Sequence, residues 1–203
     1  MAYESPSSLS FCQNDEPINL GFVGVIRYAD ECERILKAIE NDSRIMFHFY
    51  GDGEDECRLK SFCKENGIEN VLFHGRFLPH EKDQIYSQID IIYNCYGNTT
   101  NNVKYALSNK YYDALYYKKP ILVNNNTSMA DYSGILGYKV EEYDTLADRL
   151  LQWYQTLNVE DINTFCDKKI IKYISENEMF SMTLMQKIAQ GECDEHINSN
   201  SHL

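Results

Sequence analysis

Lys110, Asp113 and Arg27 are the residues whose types and placement suit anion chemistry. The stretch Asn109-Lys110-Tyr111-Tyr112-Asp113 opens a helical pattern on a lysine, carries an acid one turn in, and runs through Lys118-Lys119-Pro120 into a short apolar run. A lysine in a first turn faces the positive end of the helix dipole, a placement that costs about 0.3 kcal/mol or more unless an anion stands between them. The free N–H groups of that turn point to the same place. Ser108, just before it, can cradle an anion with them or serve only as an N-cap, which needs no ligand. Upstream, the run Gly21-Phe22-Val23-Gly24-Val25-Ile26-Arg27 leaves an apolar segment through a glycine loop. Gly24 removes a side chain where backbone must approach a ligand, and Arg27 offers a forked donor suited to phosphate oxygens. Taken alone, that arginine reads as a solvated strand-end residue. Its order relative to Lys110 is what argues for an anion site.

The elements that must position these residues follow from hydrophobic patterning. Short apolar runs near 18–24, 44–50, 70–74, 89–93, 120–123 and 137–140 read as strands. Amphipathic stretches at about 30–41, 55–66, 80–87, 108–118, 127–133 and 145–157 read as helices. Strands alternating with helices in this way imply right-handed crossovers, a parallel sheet and helices on both faces. The fold class is α/β: one doubly wound, Rossmann-like domain with about six strands in the order 3-2-1-4-5-6, plus C-terminal helices. Ligands of such sheets sit beyond the carboxyl ends of the strands where the order reverses. That point lies between the first strand, ending near Gly24, and the fourth, ending near Asn94. After Trp153 the apolar periodicity continues through Ile162, Phe165, Ile170 and Ile174, and a second helical piece is expected around 178–189.

Composition sets limits. A chain of 203 residues fits one domain with a real core, spanning 18–190, and is too short for two full ones. The stretches 1–17 and 191–203, rich in Ser, Asn and acids, read as a flexible segment and a disordered tail. A net charge of −12 argues against nucleic acid or an anionic membrane as a partner, while leaving room for a small anion at a local cationic cluster. Seven scattered cysteines without a CxxC pair, no signal peptide and no long apolar run point to reduced thiols in a cytoplasm. The five histidines show no metal-binding spacing, so no metal is expected. His48, inside an apolar strand, reads as a satisfied core histidine, and Asp52, between two glycines, as a turn residue.

The segment NKYYDALYYKKPILV resembles the donor-site helix and following strand of GT-B glycosyltransferases, in particular the group 1, family-4-like bacterial enzymes. INLGFVGVIR is similar to their first strand and phosphate loop, FHFYGDGEDECRLKSFCKENGIENVLFHGRF to their second and third strands, and IYSQIDIIYN to their short helix and fourth strand. The likeness runs in order from about Ile18 to Leu157. GT-B enzymes need two Rossmann-like domains, and what is here resembles the C-terminal one, which binds a nucleotide-sugar. The acceptor-binding half would be elsewhere.

The resemblance implies transfer of a sugar from a nucleoside-diphosphate-sugar to an acceptor hydroxyl in polysaccharide or glycan synthesis. It implies no cofactor beyond that donor substrate, no metal, and a bacterial cytoplasmic setting. Charge developing on the leaving diphosphate would be met by Arg27, Lys110 and the helix start at Ser108 and Asn109. Base recognition would fall at His74-Gly75-Arg76-Phe77, where Gly75 permits close approach and Phe77 packs on the base; Arg76 could read phosphate or be solvated. Asp113 stands where the relatives carry the second glutamate of a Glu-x7-Glu pair that holds the ribose. Read without the family, it is an i, i+3 surface partner of Lys110. The first glutamate of the pair would fall at Tyr105, and the lysine expected about five residues after Arg27 is replaced by Asp30, Glu31 and Cys32. These departures support a second reading, a degenerate domain that binds a nucleotide or a protein without catalysis. A receiver domain, suggested by Lys119-Pro120, lacks its acids, since Gly24 and His74-Gly75 stand where they belong. The terminal helices are the expected contact for an acceptor-domain protein or a dimer partner.

Overall fold

The computed structural model describes residues 16–189, and the expectations for 1–15 and 190–203 lie outside the described residues. Six strands form one sheet: β1 (Ile18–Val23), β2 (Ile45–Tyr50), β3 (Val71–Gly75), β4 (Ile91–Asn94), β5 (Ile121–Asn124) and β6 (Gly137–Val140). Their order is β3-β2-β1-β4-β5-β6, and every pairing is parallel. β1 lies between β2 and β4, with Leu20 opposite Ile91 and Gly21 opposite Ile92. The fold is the expected α/β Rossmann-like one, with the reversal of strand order between β1 and β4.

The connecting helices are α1 (Ala29–Ala38), α2 (Glu56–Asn66), α3 (Lys82–Ser87), α4 (Asn101–Tyr105), α5 (Asn109–Tyr116), α6 (Ser128–Ser133), α7 (Leu146–Thr156) and α8 (Val159–Ala189). Two differ from expectation. The polar stretch after β4, where no helix was expected, winds into α4 because Thr100 Oγ1 caps it by accepting the Val103 N–H. The two terminal pieces are one helix, α8, since Ser175-Glu176-Asn177 is polar but contains no Gly or Pro to stop a helix. The chain divides into two compact units within α8, between Cys166 and Asp167. In the second, Ile171, Ile174, Met179, Phe180, Met182 and Met185 are exposed.

The sheet holds because its central strands are buried on both faces, as parallel strands require. Leu20, Phe22, Phe47, Phe49, Ile91, Tyr93 and Leu122 are fully buried in one cluster with Ile35 and Leu36 of α1 and Leu59 of α2. Phe47 and Phe49 meet edge-on at 4.5 Å, and Phe22 packs on Tyr93 at 5.7 Å. Each such side chain contributes about 1.5–3 kcal/mol by leaving water. The ends of β1 and β2 close on a glycine pair. A Cβ on Gly51 would lie 2.0 Å from the Gly24 carbonyl oxygen, so no other residue fits there without moving the loop that follows β1.

α1 starts from a left-handed Tyr28 with no cap of its own. Asp55, just before α2, supplies it instead: its Oδ2 accepts the Ala29 N–H at 3.0 Å. The cap therefore comes from a residue 26 positions away, and it holds the loop Gly24–Tyr28 against the β2–α2 turn. Among the described residues, no helix is long and apolar enough to cross a membrane.

Candidate functional site

Beyond the carboxyl ends of β1, β4 and β5 lies a cavity of about 470 Å³. Gly24, Arg27, Phe77, Ser108, Asn109, Lys110 and Asp113 all line it, so seven of the eight residues singled out from sequence come together. Gly75 does not. Its positive φ of 76° turns the end of β3, and its carbonyl accepts the Gly51 N–H at 2.7 Å, tying β3 to β2. Gly75 is a sheet-end residue here, outside the cavity wall.

Gly24 has a φ of 136°, which side chains other than glycine's rarely adopt. A Cβ there would meet only Lys110 Nζ, at an ordinary 3.5 Å. The glycine is thus required by the backbone path and less by space. That path sends the exposed Arg27 to the rim, with its guanidinium 5.4 Å from the Tyr28 ring.

Lys110 is placed by α5, whose first turn is capped by Ser108: its Oγ accepts the Lys110 N–H at 3.1 Å. Ser108 therefore does serve as N-cap while also facing the cavity. Lys110 is only 7% exposed. Its ammonium lies 4.4 Å from the Phe22 ring centroid and donates a short hydrogen bond to the Tyr96 hydroxyl. Burial pushes its pKa down to about 8; the nearby Asp113 carboxylate opposes this and Arg27 adds to it. A cation held among rings, with no carboxylate in ion-pair contact among the described residues, is poised for an incoming anion.

Asp113 does not pair with Lys110. Its carboxylate accepts from Lys82 Nζ, 3.1 Å from both oxygens, and from the Tyr86 hydroxyl at 2.8 Å. Lys82, at the start of α3, also lines the cavity and is a third cation there beside Arg27 and Lys110. Sequence reading missed it, because it is 31 positions from Asp113 and its only local signal is its place at the start of an amphipathic stretch. Tyr96 was missed as a partner for the same reason. Tyr105, at the place of the family's first glutamate, is 63% exposed at the end of α4 and is not part of the cavity wall.

Of Asp30, Glu31 and Cys32, which stand where the family's lysine would follow Arg27, Glu31 is turned to structural use. It is 6% exposed. Its Oε1 accepts from Asn124 Nδ2 at 2.5 Å and from the Tyr143 hydroxyl, and its Oε2 takes Arg34 at 3.2 Å. Asn124 in turn accepts the Gly97 N–H at 2.8 Å, so this chain of bonds fixes the loop after β4.

The remaining polar candidates lie away from the cavity. His48 is half-buried, with one ring nitrogen 3.0 Å from His74 Nε2 and the other 3.0 Å from Asn19 Oδ1. It is satisfied, as expected, and burial lowers the pKa of both histidines. Arg76 is solvated and paired with Asp52 at 2.5 Å. None of Cys32, Cys57, Cys63, Cys95 and Cys166 forms a disulfide among the described residues. Among the described residues no group of three or more His, Cys, Asp or Glu is arranged to hold a metal.

A parallel sheet of this order, with a cationic cavity at the β1/β4 crossing bounded by a glycine loop and a helix start, defines a Rossmann-like domain of the GT-B kind. The chain belongs to the family described as glycosyl transferases group 1, whose profile matches residues 11–156. Solved structures agree in fold. The lipopolysaccharide outer core galactosyltransferase WaaB in its apo form superposes with a TM-score of 0.58 at 15% identity, over 83% of this chain and 51% of that one. The pneumococcal O-GlcNAc transferase GtfA, in complex with UDP and GlcNAc, gives 0.57 at 16%, over 87% and 37%. The catalytic domain of cholesterol-α-glucosyltransferase from Helicobacter pylori gives 0.57 at 15%, over 77% and 99%. The chain thus spans about half of the first of these and 37% of the second. Sequence comparison with curated proteins returns no match.

Proposed function

We propose that this chain is the donor-binding part of a glycosyltransferase that moves a hexose from a nucleoside-diphosphate-sugar to an acceptor hydroxyl in polysaccharide or glycan synthesis. The observation that carries this reading is the convergence of Arg27, Lys82, Lys110 and the α5 N-terminus on one cavity at the strand-order reversal. Fold relatives crystallised with UDP or UDP-glucose, GtfA and Anabaena HepE among them, make such donors the natural class to test.

The chemistry follows from the charges. As the sugar–phosphate bond breaks, negative charge grows on the diphosphate. Lys110 Nζ, freed from Tyr96, and Arg27 at the rim neutralise it, and the N–H groups of the first α5 turn add preorganised dipoles. Phe77 offers a face for the base. Asp113, held by Lys82 and Tyr86, serves the ribose hydroxyls through its remaining lone pairs. The acceptor and any general base belong to a second domain, on the same polypeptide or another, docked against the exposed apolar residues of α8. The setting is a bacterial cytoplasm, with no cofactor beyond the donor.

The second reading, a binding domain without catalysis, draws on Tyr105 standing where the family has a glutamate and on Asp30, Glu31 and Cys32 standing where it has a lysine. Calorimetric titration with UDP, GDP and ADP separates these readings from an empty fold. Saturable binding to one of them, weakened at least tenfold by Arg27→Ala and by Lys110→Ala, supports the donor site. No binding at millimolar ligand rules it out for this chain. Turnover of the bound sugar conjugate, by hydrolysis or transfer, then divides catalyst from binder.

A further inference from the structure

Asn94 ends β4 at the cavity and is 3% exposed. Neither its Oδ1 nor its Nδ2 has a hydrogen-bond partner among the described residues. Position alone does not force this. Asn124, at the matching end of β5, is equally buried, and both of its amide atoms are engaged, with Gly97 and Glu31.

An unpaired buried amide weakens a fold, and nearly all such groups find partners. Valine or isoleucine would suit a strand end better and carry no such cost. The amide at Asn94 therefore answers to something that enters the cavity. A primary amide needs both a donor for its oxygen and an acceptor for its nitrogen. Phosphate oxygens only accept, so a diphosphate can serve Nδ2 but leaves Oδ1 orphaned, and the cations of the cavity already suit that group. Sugar hydroxyls do both, and a vicinal pair matches the amide's two atoms.

We infer that Asn94 holds the sugar of the donor through a pair of hydroxyls and so helps decide which hexose the site accepts. This rests on the donor-site reading above. Both amide atoms are shielded from solvent, so the side chain turns toward the cavity as the sugar enters, about a torsion that is soft for asparagine.

The test compares the wild-type chain with Asn94→Val and Asn94→Ala. Each is titrated with UDP, GDP and ADP, and, for the diphosphate that binds, with its glucose, galactose and N-acetylglucosamine conjugates. The expected result is a melting temperature equal to or above wild type for at least one variant, diphosphate affinity within twofold, and a fall of at least fivefold in affinity for the preferred conjugate relative to the bare diphosphate. An unchanged ratio for every conjugate overturns the inference and leaves the donor site standing, as does an equal loss for diphosphate and conjugates. No diphosphate binding to the wild type removes the donor-site reading and this inference with it.

Discussion

Lys110 Nζ bonds the Tyr96 hydroxyl across the cavity and leaves Asp113, three residues along its own helix, to Lys82 and Tyr86. The acid and the lysine thus serve different partners, and the Lys110 cation is held by rings and a phenol. Replacing it shows what it is for. Lys110→Met removes a buried charge and keeps most of the volume, so the folded state should gain about 1–3 kcal/mol at neutral pH. Diphosphate affinity should fall at least tenfold. Denaturant melts and calorimetry on the same preparation read both changes, and a loss of both stability and binding would mark a structural lysine instead.

The same burial sets a pH dependence. The folded pKa of Lys110 is depressed to about 8 from the 10.5 of a free lysine. Between those values the unfolded chain binds the extra proton, so this group makes the fold more stable as pH rises through 8 toward 10.5. Ligand binding runs the other way. A diphosphate prefers the ammonium, so its affinity should be level below pH 8 and fall up to tenfold per unit above it. Titrations from pH 6.5 to 9.5 should show that bend in wild type and lose it in Lys110→Met.

Asp113 supports its surroundings. Asp113→Ala leaves the Tyr86 hydroxyl, on a fully buried side chain, without its acceptor, and should cost about 1–3 kcal/mol. In a Tyr86→Phe background the same change should cost clearly less, because no hydroxyl remains to be orphaned. Equal costs in the two backgrounds, measured by urea unfolding, would show that the bond contributes nothing.

Glu31 is one of the three residues, Asp30, Glu31 and Cys32, that stand where the family's lysine is expected. Glu31→Ala strips an acceptor from buried Asn124 and from Tyr143, and should destabilise the chain by about 2–4 kcal/mol. Glu31→Lys should be worse, since the Asn124 Nδ2 and Tyr143 O–H donors would then face a cation in place of their acceptor. A melting temperature for Glu31→Lys at or above wild type would show that these bonds contribute nothing to the fold.

Most of the architecture was legible because parallel strands buried on both faces read as continuous apolar runs, and the helices between them keep a 3.6-residue period. Gly24, Arg27 and Lys110 were legible because they stand just past strand ends or at a helix start, where the fold directs ligands. What could not be read came from long-range pairing. Tyr96 holding Lys110, Lys82 holding Asp113 and Asp55 capping α1 each join residues that only the fold brings near. Gly75 lies outside the cavity wall, because a glycine at a strand end serves a sheet-closing turn as readily as a ligand. The helix α4 depended on a threonine cap inside a stretch whose composition is that of a loop, and α8 ran through a polar interruption that helix propensity tolerates.

The most direct test of the donor site is a crystal structure of this chain with the diphosphate that calorimetry selects. The two phosphates should lie at the α5 N-terminus, within hydrogen-bond distance of Lys110 Nζ and the Arg27 guanidinium, with the base toward Phe77 and Lys110 released from Tyr96. A diphosphate bound elsewhere, or a cavity in which Lys110 keeps its bond to Tyr96 at saturating ligand, would contradict the donor site.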